Sequence, residues 1–202
     1  MRRTTKRLVG TMAVMLALLG ATSARADSLV LFYTFFPDVG HIETGSVDGN
    51  GTFTHLQFFG APLWTHIAGL GNGEVLLYDA NTGSAKTAFV DTDGTFTILH
   101  SYGPFALWTH IAGLGNGEVL FYNIDNFMAQ TGSVAPDGTF TNQLVYDDFR
   151  RWTHIAGLGN GLVLFYNADT GSAETAFVAP DGTFTDLQTF SGSALWTLIV
   201  GL

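Results

Sequence analysis

WTHIAGLGNG stands three times in this chain without a change, at 64–73, 108–117 and 152–161, and WTLIVGL follows at 196–202. The tryptophans that open these stretches, Trp64, Trp108, Trp152 and Trp196, are spaced 44 residues apart. A fixed period of this length marks a repeat architecture, in which each unit buries its apolar face against its neighbours.

Working outward from 152–158, each unit holds four strand-like runs. In the last full unit they are WTHIAGL (152–158), LVLFYN (162–167), SAETAFV (172–178) and TFTDLQTF (183–190). Between them lie Gly159-Asn160-Gly161, Asp169-Thr170-Gly171 and Pro180-Asp181-Gly182. Asn-Gly and Asp-Gly supply the positive φ angles of tight hairpins. The runs are rich in Val, Ile, Thr, Phe and Tyr, which suit a pleated surface. LVLFY is apolar on both alternating faces, the pattern of a strand covered on both sides. Four hairpin-linked strands per 44 residues predict one blade of a β-propeller. The expected fold is therefore all-β, with four blades of four antiparallel strands. The small residues of THIAGL suit the crowded innermost strand, and TFTDLQTF the outermost.

The ends of the chain suggest a closure. WTLIVGL is an inner strand without its LVLFY partner, and Leu29-Val30-Leu31-Phe32-Tyr33 is an LVLFY strand without its inner partner. Pairing of the two would complete the first blade and remove two exposed sheet edges. The expectation is a monomeric ring, with a dimer forming a larger ring as the alternative. A second level of repetition is visible in the third strand. It reads HIETGSV (41–47) and MAQTGSV (128–134) in alternate units, and SAKTAFV (84–90) and SAETAFV (172–178) in the others. This implies duplication of a two-blade module and two kinds of inter-blade groove.

Residues 1–26 read as a secretory signal peptide: Arg2, Arg3, Lys6 and Arg7, an apolar run from Leu8 to about Leu19, and then Ala24-Arg25-Ala26. The run is too short for a spanning helix. The remaining domain, 27–202, keeps Lys86, Arg150 and Arg151 against all 17 acidic residues, a formal charge of −14. That charge repels nucleic acid and anionic membranes. There is no cysteine, hence no disulfide framework, and a chain of this size buries a sufficient core without one. The expected location is extracellular or periplasmic.

With WTHIAGLGNG, VLFYN, DTGSA and PDGTF as its signature, the repeat resembles those of secreted propellers, in particular tachylectin-like lectin propellers. The Asp-Thr-Gly turns are similar to those of quinoprotein-type propellers. The first resemblance implies binding of N-acetylated sugars between blades. The second implies architecture alone, and no cofactor is expected.

Three residue sets invite a chemical reading. His66, His110 and His154 occupy equivalent inner-strand positions. They are read as hydrogen-bonded framework and not as a metal site, because Leu198 stands at the fourth position. Asp91-Thr92-Asp93-Gly94 opens like a calcium loop but lacks the later acidic ligand, so it reads as a turn. The tryptophans read as inter-blade packing. Candidate ligand contacts are instead Tyr102, Phe105, Tyr146, Phe149, Arg150 and Phe190, which lie where the repeats differ, between an outer strand and the next tryptophan. Phe35, Phe36 and Phe127 lie in other variable connections. No nucleophile elbow or isolated acid–base pair stands out, and no enzyme is expected. The leading expectation is a glycan-binding propeller with repeated weak sites. The alternatives are a protein-interaction propeller and, third, an enzyme with an unrecognised site.

Overall fold

The computed structural model describes residues 15–19, 28–36, 39–191, 196–199 and 201. Among the described residues, sixteen strands form four antiparallel sheets of four. The first sheet is β1 (Met15–Leu19), β2 (Ser28–Phe36), β3 (Val39–Val47) and β4 (Phe53–Ala61). The second is β5 (His66–Gly71), β6 (Glu74–Asp79), β7 (Ser84–Val90) and β8 (Phe96–Tyr102). The third is β9 (His110–Gly115), β10 (Glu118–Asn123), β11 (Met128–Val134) and β12 (Phe140–Tyr146). The fourth is β13 (His154–Gly159), β14 (Leu162–Asn167), β15 (Ser172–Val178) and β16 (Phe184–Phe190). These are four blades of a β-propeller, with β5 packed on β9 and β9 on β13 at the axis.

Local chemistry sets each blade. Asn72 and Gly73 take φ of 51° and 84° between β5 and β6, the left-handed pair that a two-residue hairpin requires. The same pair recurs at Asn116-Gly117 and Asn160-Gly161. At the axis the inner strands touch backbone to backbone. A Cβ on Gly113 would run into the carbonyl oxygen of Gly69, and one on Gly157 into that of Gly113. Gly113→Ala is therefore expected to cost about 1–3 kcal/mol by forcing the strands apart, measurable as a lower urea midpoint.

One framework repeats at the three interfaces between blades. The middle one packs Leu70, Leu76, Tyr78 and Trp108 against Val119, Phe121 and Val134. The Tyr78 hydroxyl accepts the Trp108 backbone N–H at 2.7 Å and donates to the Ala106 carbonyl at 2.8 Å. Tyr33 and Tyr122 do the same for Trp64 and Trp152. The Thr87 hydroxyl donates to the Gly138 carbonyl at 2.7 Å, as Thr44 does to Gly94 and Thr131 to Gly182. The histidines belong to this framework. Nε2 of His66, His110 and His154 lies 3.0 Å from the carbonyl oxygens of Thr109, Thr153 and Thr197. A carbonyl accepts, so Nε2 carries the proton, and Nδ1 faces the preceding threonine hydroxyl. The framework reading of the histidines thus holds, and Trp64, Trp108 and Trp152 are buried at 7%, 4% and 3% exposure.

The closure differs from expectation. The inner edge of β2 is taken by β1, with Met15 opposite Tyr33 and Leu19 opposite Leu29, and not by 196–202. An open strand edge pairs with whichever extended apolar segment reaches it, and MLALL is such a segment close upstream. The C-terminal segment lies instead one place beyond β13. Its Thr197 carbonyl meets His154, the Trp196 N–H donates to the Tyr166 hydroxyl at 2.7 Å, and a Cβ on Gly201 would strike the Gly157 carbonyl. Trp196 is 55% exposed there.

Candidate functional site

Five of the six expected contact residues fall in two successive grooves, and the sixth, Phe190, lies on the outer face of the fourth blade. Tyr102 and Phe105 sit between the second and third blades, in ring contact with each other and with Phe140. Tyr146, Phe149 and Arg150 sit between the third and fourth. Phe190, in the position of Tyr102 and Tyr146, ends the fourth blade and is 42% exposed, with no further blade packed on it among the described residues. Neither tyrosine has a spare hydroxyl. Tyr102 donates to the Gly138 carbonyl and accepts from the Phe140 N–H, and Tyr146 does the same with Gly182 and Phe184. Phe127 holds a φ of 59° where the matching turns have Gly83 and Gly171. Phe127→Gly should raise stability by about 1 kcal/mol by relieving this strain, read as a higher melting temperature. The side chains of Phe35 and Phe36 lie outside the described residues.

The groove between the third and fourth blades opens into a cavity of about 280 Å³, lined by Tyr146, Asp147, Asp148, Phe149, Arg150, Trp152, Phe184, Glu174 and Asp186, with Val145. Glu174 is its centre. It is 5% exposed, its Oε2 is 3.2 Å from Nη1 of Arg150, and Asp186 lines the same cavity. Burial, reinforced by the neighbouring Asp186, pushes the Glu174 carboxyl up to about 7, while Arg150 opposes the rise. Arg150 itself lines the cavity and keeps 71% of its side-chain surface exposed.

Residues on β15 and β16 went unremarked in the sequence, yet a signal for them existed. Glu43, Lys86, Gln130 and Glu174 stand one residue before the matching threonines Thr44, Thr87, Thr131 and Thr175. Each occupies the same place in its blade, and each has different company. Glu43 reaches His55 at 3.7 Å, the Lys86 ammonium lies 5.9 Å from the centre of the Trp64 ring, and Gln130 donates to Asn142. The blades share a framework and differ at this point as well as in the connections that follow the outer strands. The grooves are therefore not copies of one weak site. The carboxyl pair capped by an arginine belongs to one groove.

The titrations have opposite signs. Glu174 is raised, so it contributes stability that is complete below about 4.5 and is lost as pH rises through about 7. Glu174→Gln should therefore raise the melting temperature at pH 8 and change it little at pH 4.5. Burial holds His66 and His110 below 6.5. Their contribution is complete above that value and falls as the pH drops beneath it.

No family model matches the chain, and no curated protein is similar to it. Solved structures do match in fold. A crystal structure of a protein from Lactobacillus plantarum aligns over 87% of this chain with a TM-score of 0.57 and 18% identity. The chain spans 55% of that protein's length. The likeness supports a propeller-like all-β fold and carries no function.

Proposed function

We propose that the chain is an exported glycan-binding propeller, and that its principal site is the groove between the third and fourth blades. One observation carries this reading: Phe149, Arg150, Glu174 and Asp186 converge on a single cavity. Sugars are held by carboxylates that accept from hydroxyls, by a guanidinium that donates to ring and hydroxyl oxygens, and by the edge or face of an aromatic ring. A cavity of about 280 Å³ is at the small end for ligand pockets, about 300–1,000 Å³. It suits one sugar ring. Asp147, Asp148, Glu174 and Asp186 outnumber the single Arg150, so the preferred sugars are neutral, N-acetylated ones included, and uronates and sialylated ends are rejected.

A single site should be weak, near millimolar, or about 4 kcal/mol, since it makes one ring contact and few hydrogen bonds. Chelator should have no effect, because no metal is assigned to the site. Export rests on residues 1–26, whose basic start and apolar run fit a cleaved leader. A glycan array spanning neutral, N-acetylated and acidic structures tests the reading. Signal confined to neutral and N-acetylated glycans is expected. Silence from folded protein on all three classes would overturn the sugar reading and leave a protein-interaction propeller in its place.

A further inference from the structure

The outer faces of the first and fourth blades each carry part of the framework that is complete between the interior blades. Inside the molecule, Phe121 meets Trp108 at 5.8 Å and stands edge-on to Phe140 at 5.9 Å. Phe165 repeats this with Trp152 at 5.6 Å and Phe184 at 5.8 Å. On the open face of the first blade, Phe32 and Phe53 hold the same edge-on contact at 5.6 Å, with no tryptophan against them. Phe53 is 46% exposed there, and Phe32, Phe53, Phe58 and His41 line an apolar cavity of about 210 Å³. The fourth blade presents the counterpart. Trp196 is 55% exposed, and Leu158 and Leu164 are only half-buried, whereas the equivalent Leu70, Leu76, Leu114 and Leu120 are fully buried.

The polar staples are divided in the same way. The turn glycines Gly94, Gly138 and Gly182 are each crowded by the preceding blade and take the hydroxyls of Thr44, Thr87 and Thr131. A Cβ on Gly51, in the same position, would meet nothing within 4 Å among the described residues. Thr175, next in the threonine series, has only a contact of 3.5 Å within its own blade, to the Gln188 carbonyl.

In this structure the C-terminal segment and β1 hold separate inner places. Five inner-strand places lie side by side in the structure: β1 packed on β5, then β9, β13 and the C-terminal segment. In a closed ring of four blades the first and fifth places would be one.

We propose that a second copy of this chain closes the ring, each copy's C-terminal segment taking the inner edge of β2 in the other once the leader strand β1 is cleaved away. Trp196 of one copy then seats on Phe32 and Phe53 of the other, and Thr175 meets Gly51. Each of the two new grooves gains Glu43 at its centre, where the interior grooves have Lys86, Gln130 and Glu174. The leader, while attached, holds that edge and keeps the precursor single. The proposal is independent of what the grooves bind.

The test compares the full chain with the form exported through its own leader, by mass spectrometry and light scattering. The exported form should lack the leader and have twice the chain mass, and the full chain should be a monomer. Trp196→Ala should return the exported form to a monomer with its circular dichroism spectrum intact. An exported form that keeps its leader, or that is monomeric after losing it, overturns the proposal. So does a Trp196→Ala variant that remains a dimer or unfolds.

Discussion

Trp108→Ala should lower the stability of the protein by about 3–5 kcal/mol, the range for truncating a large buried aromatic side chain. Trp108 is 4% exposed. It closes the core between the second and third blades against Phe121. Alanine leaves a void that the surrounding strands cannot collapse into, because their inner members are already in backbone contact at Gly69 and Gly113. The backbone N–H of residue 108 keeps its bond to the Tyr78 hydroxyl, so the cost is one of packing. The same change at Trp196, which is 55% exposed, should scarcely alter the stability of a single chain. Urea melts of the two variants, run on the full chain, give the comparison. Equal losses would mean that the fourth tryptophan is as covered as the second.

Polyvalent glycan should bind the exported form about 10²–10⁴ times more tightly than free monosaccharide, the usual gain from linked sites. A single chain has one groove with the carboxyl pair and the arginine. The gain therefore requires two copies in one ring. Trp196→Ala should abolish it while leaving the affinity for free sugar unchanged, since Trp196 does not line that cavity. Surface plasmon resonance on dense and sparse glycan coatings measures both. A gain that survived in a monomeric variant would place further sites on the single chain.

Much of the fold was legible because the repeat prints its turns and strands four times. LVLFYN (162–167) and SAETAFV (172–178) coincide with β14 and β15, and the outer strand begins one residue later than read, at Phe184. WTHIAGL runs on to Gly159 and starts two residues later, at His154. Its tryptophan is turned into the core by the Tyr122 hydroxyl bound to its N–H, before the strand pairing begins. The closure was not legible. Periodicity shows which strand lacks a partner, but it cannot show which of two apolar segments reaches the open edge, and it contains no measure of curvature around the axis. Of the site, Tyr146, Phe149 and Arg150 were found because they lie where the repeats diverge in residue type at constant length. Glu174 and Asp186 were hidden inside well-matched strands. The pairing of β15 with β16 sets Ala176 opposite Asp186, which brings that acid alongside Glu174, and the cross-strand neighbour is not adjacent in sequence.

The most direct measurement on the proposed site is a saccharide titration followed by isothermal calorimetry or ligand-observed NMR, with a neutral glycan chosen from the array. It should be made on the unaltered protein, on Arg150→Ala and on Gln130→Ala. Arg150→Ala removes the guanidinium that caps Glu174 and should weaken binding at least tenfold, about 1.4 kcal/mol. Gln130→Ala alters the equivalent point of the neighbouring groove and should leave binding as it was. Undiminished binding by the Arg150 variant, or equal loss from both, would contradict the assignment of the site to the groove between the third and fourth blades.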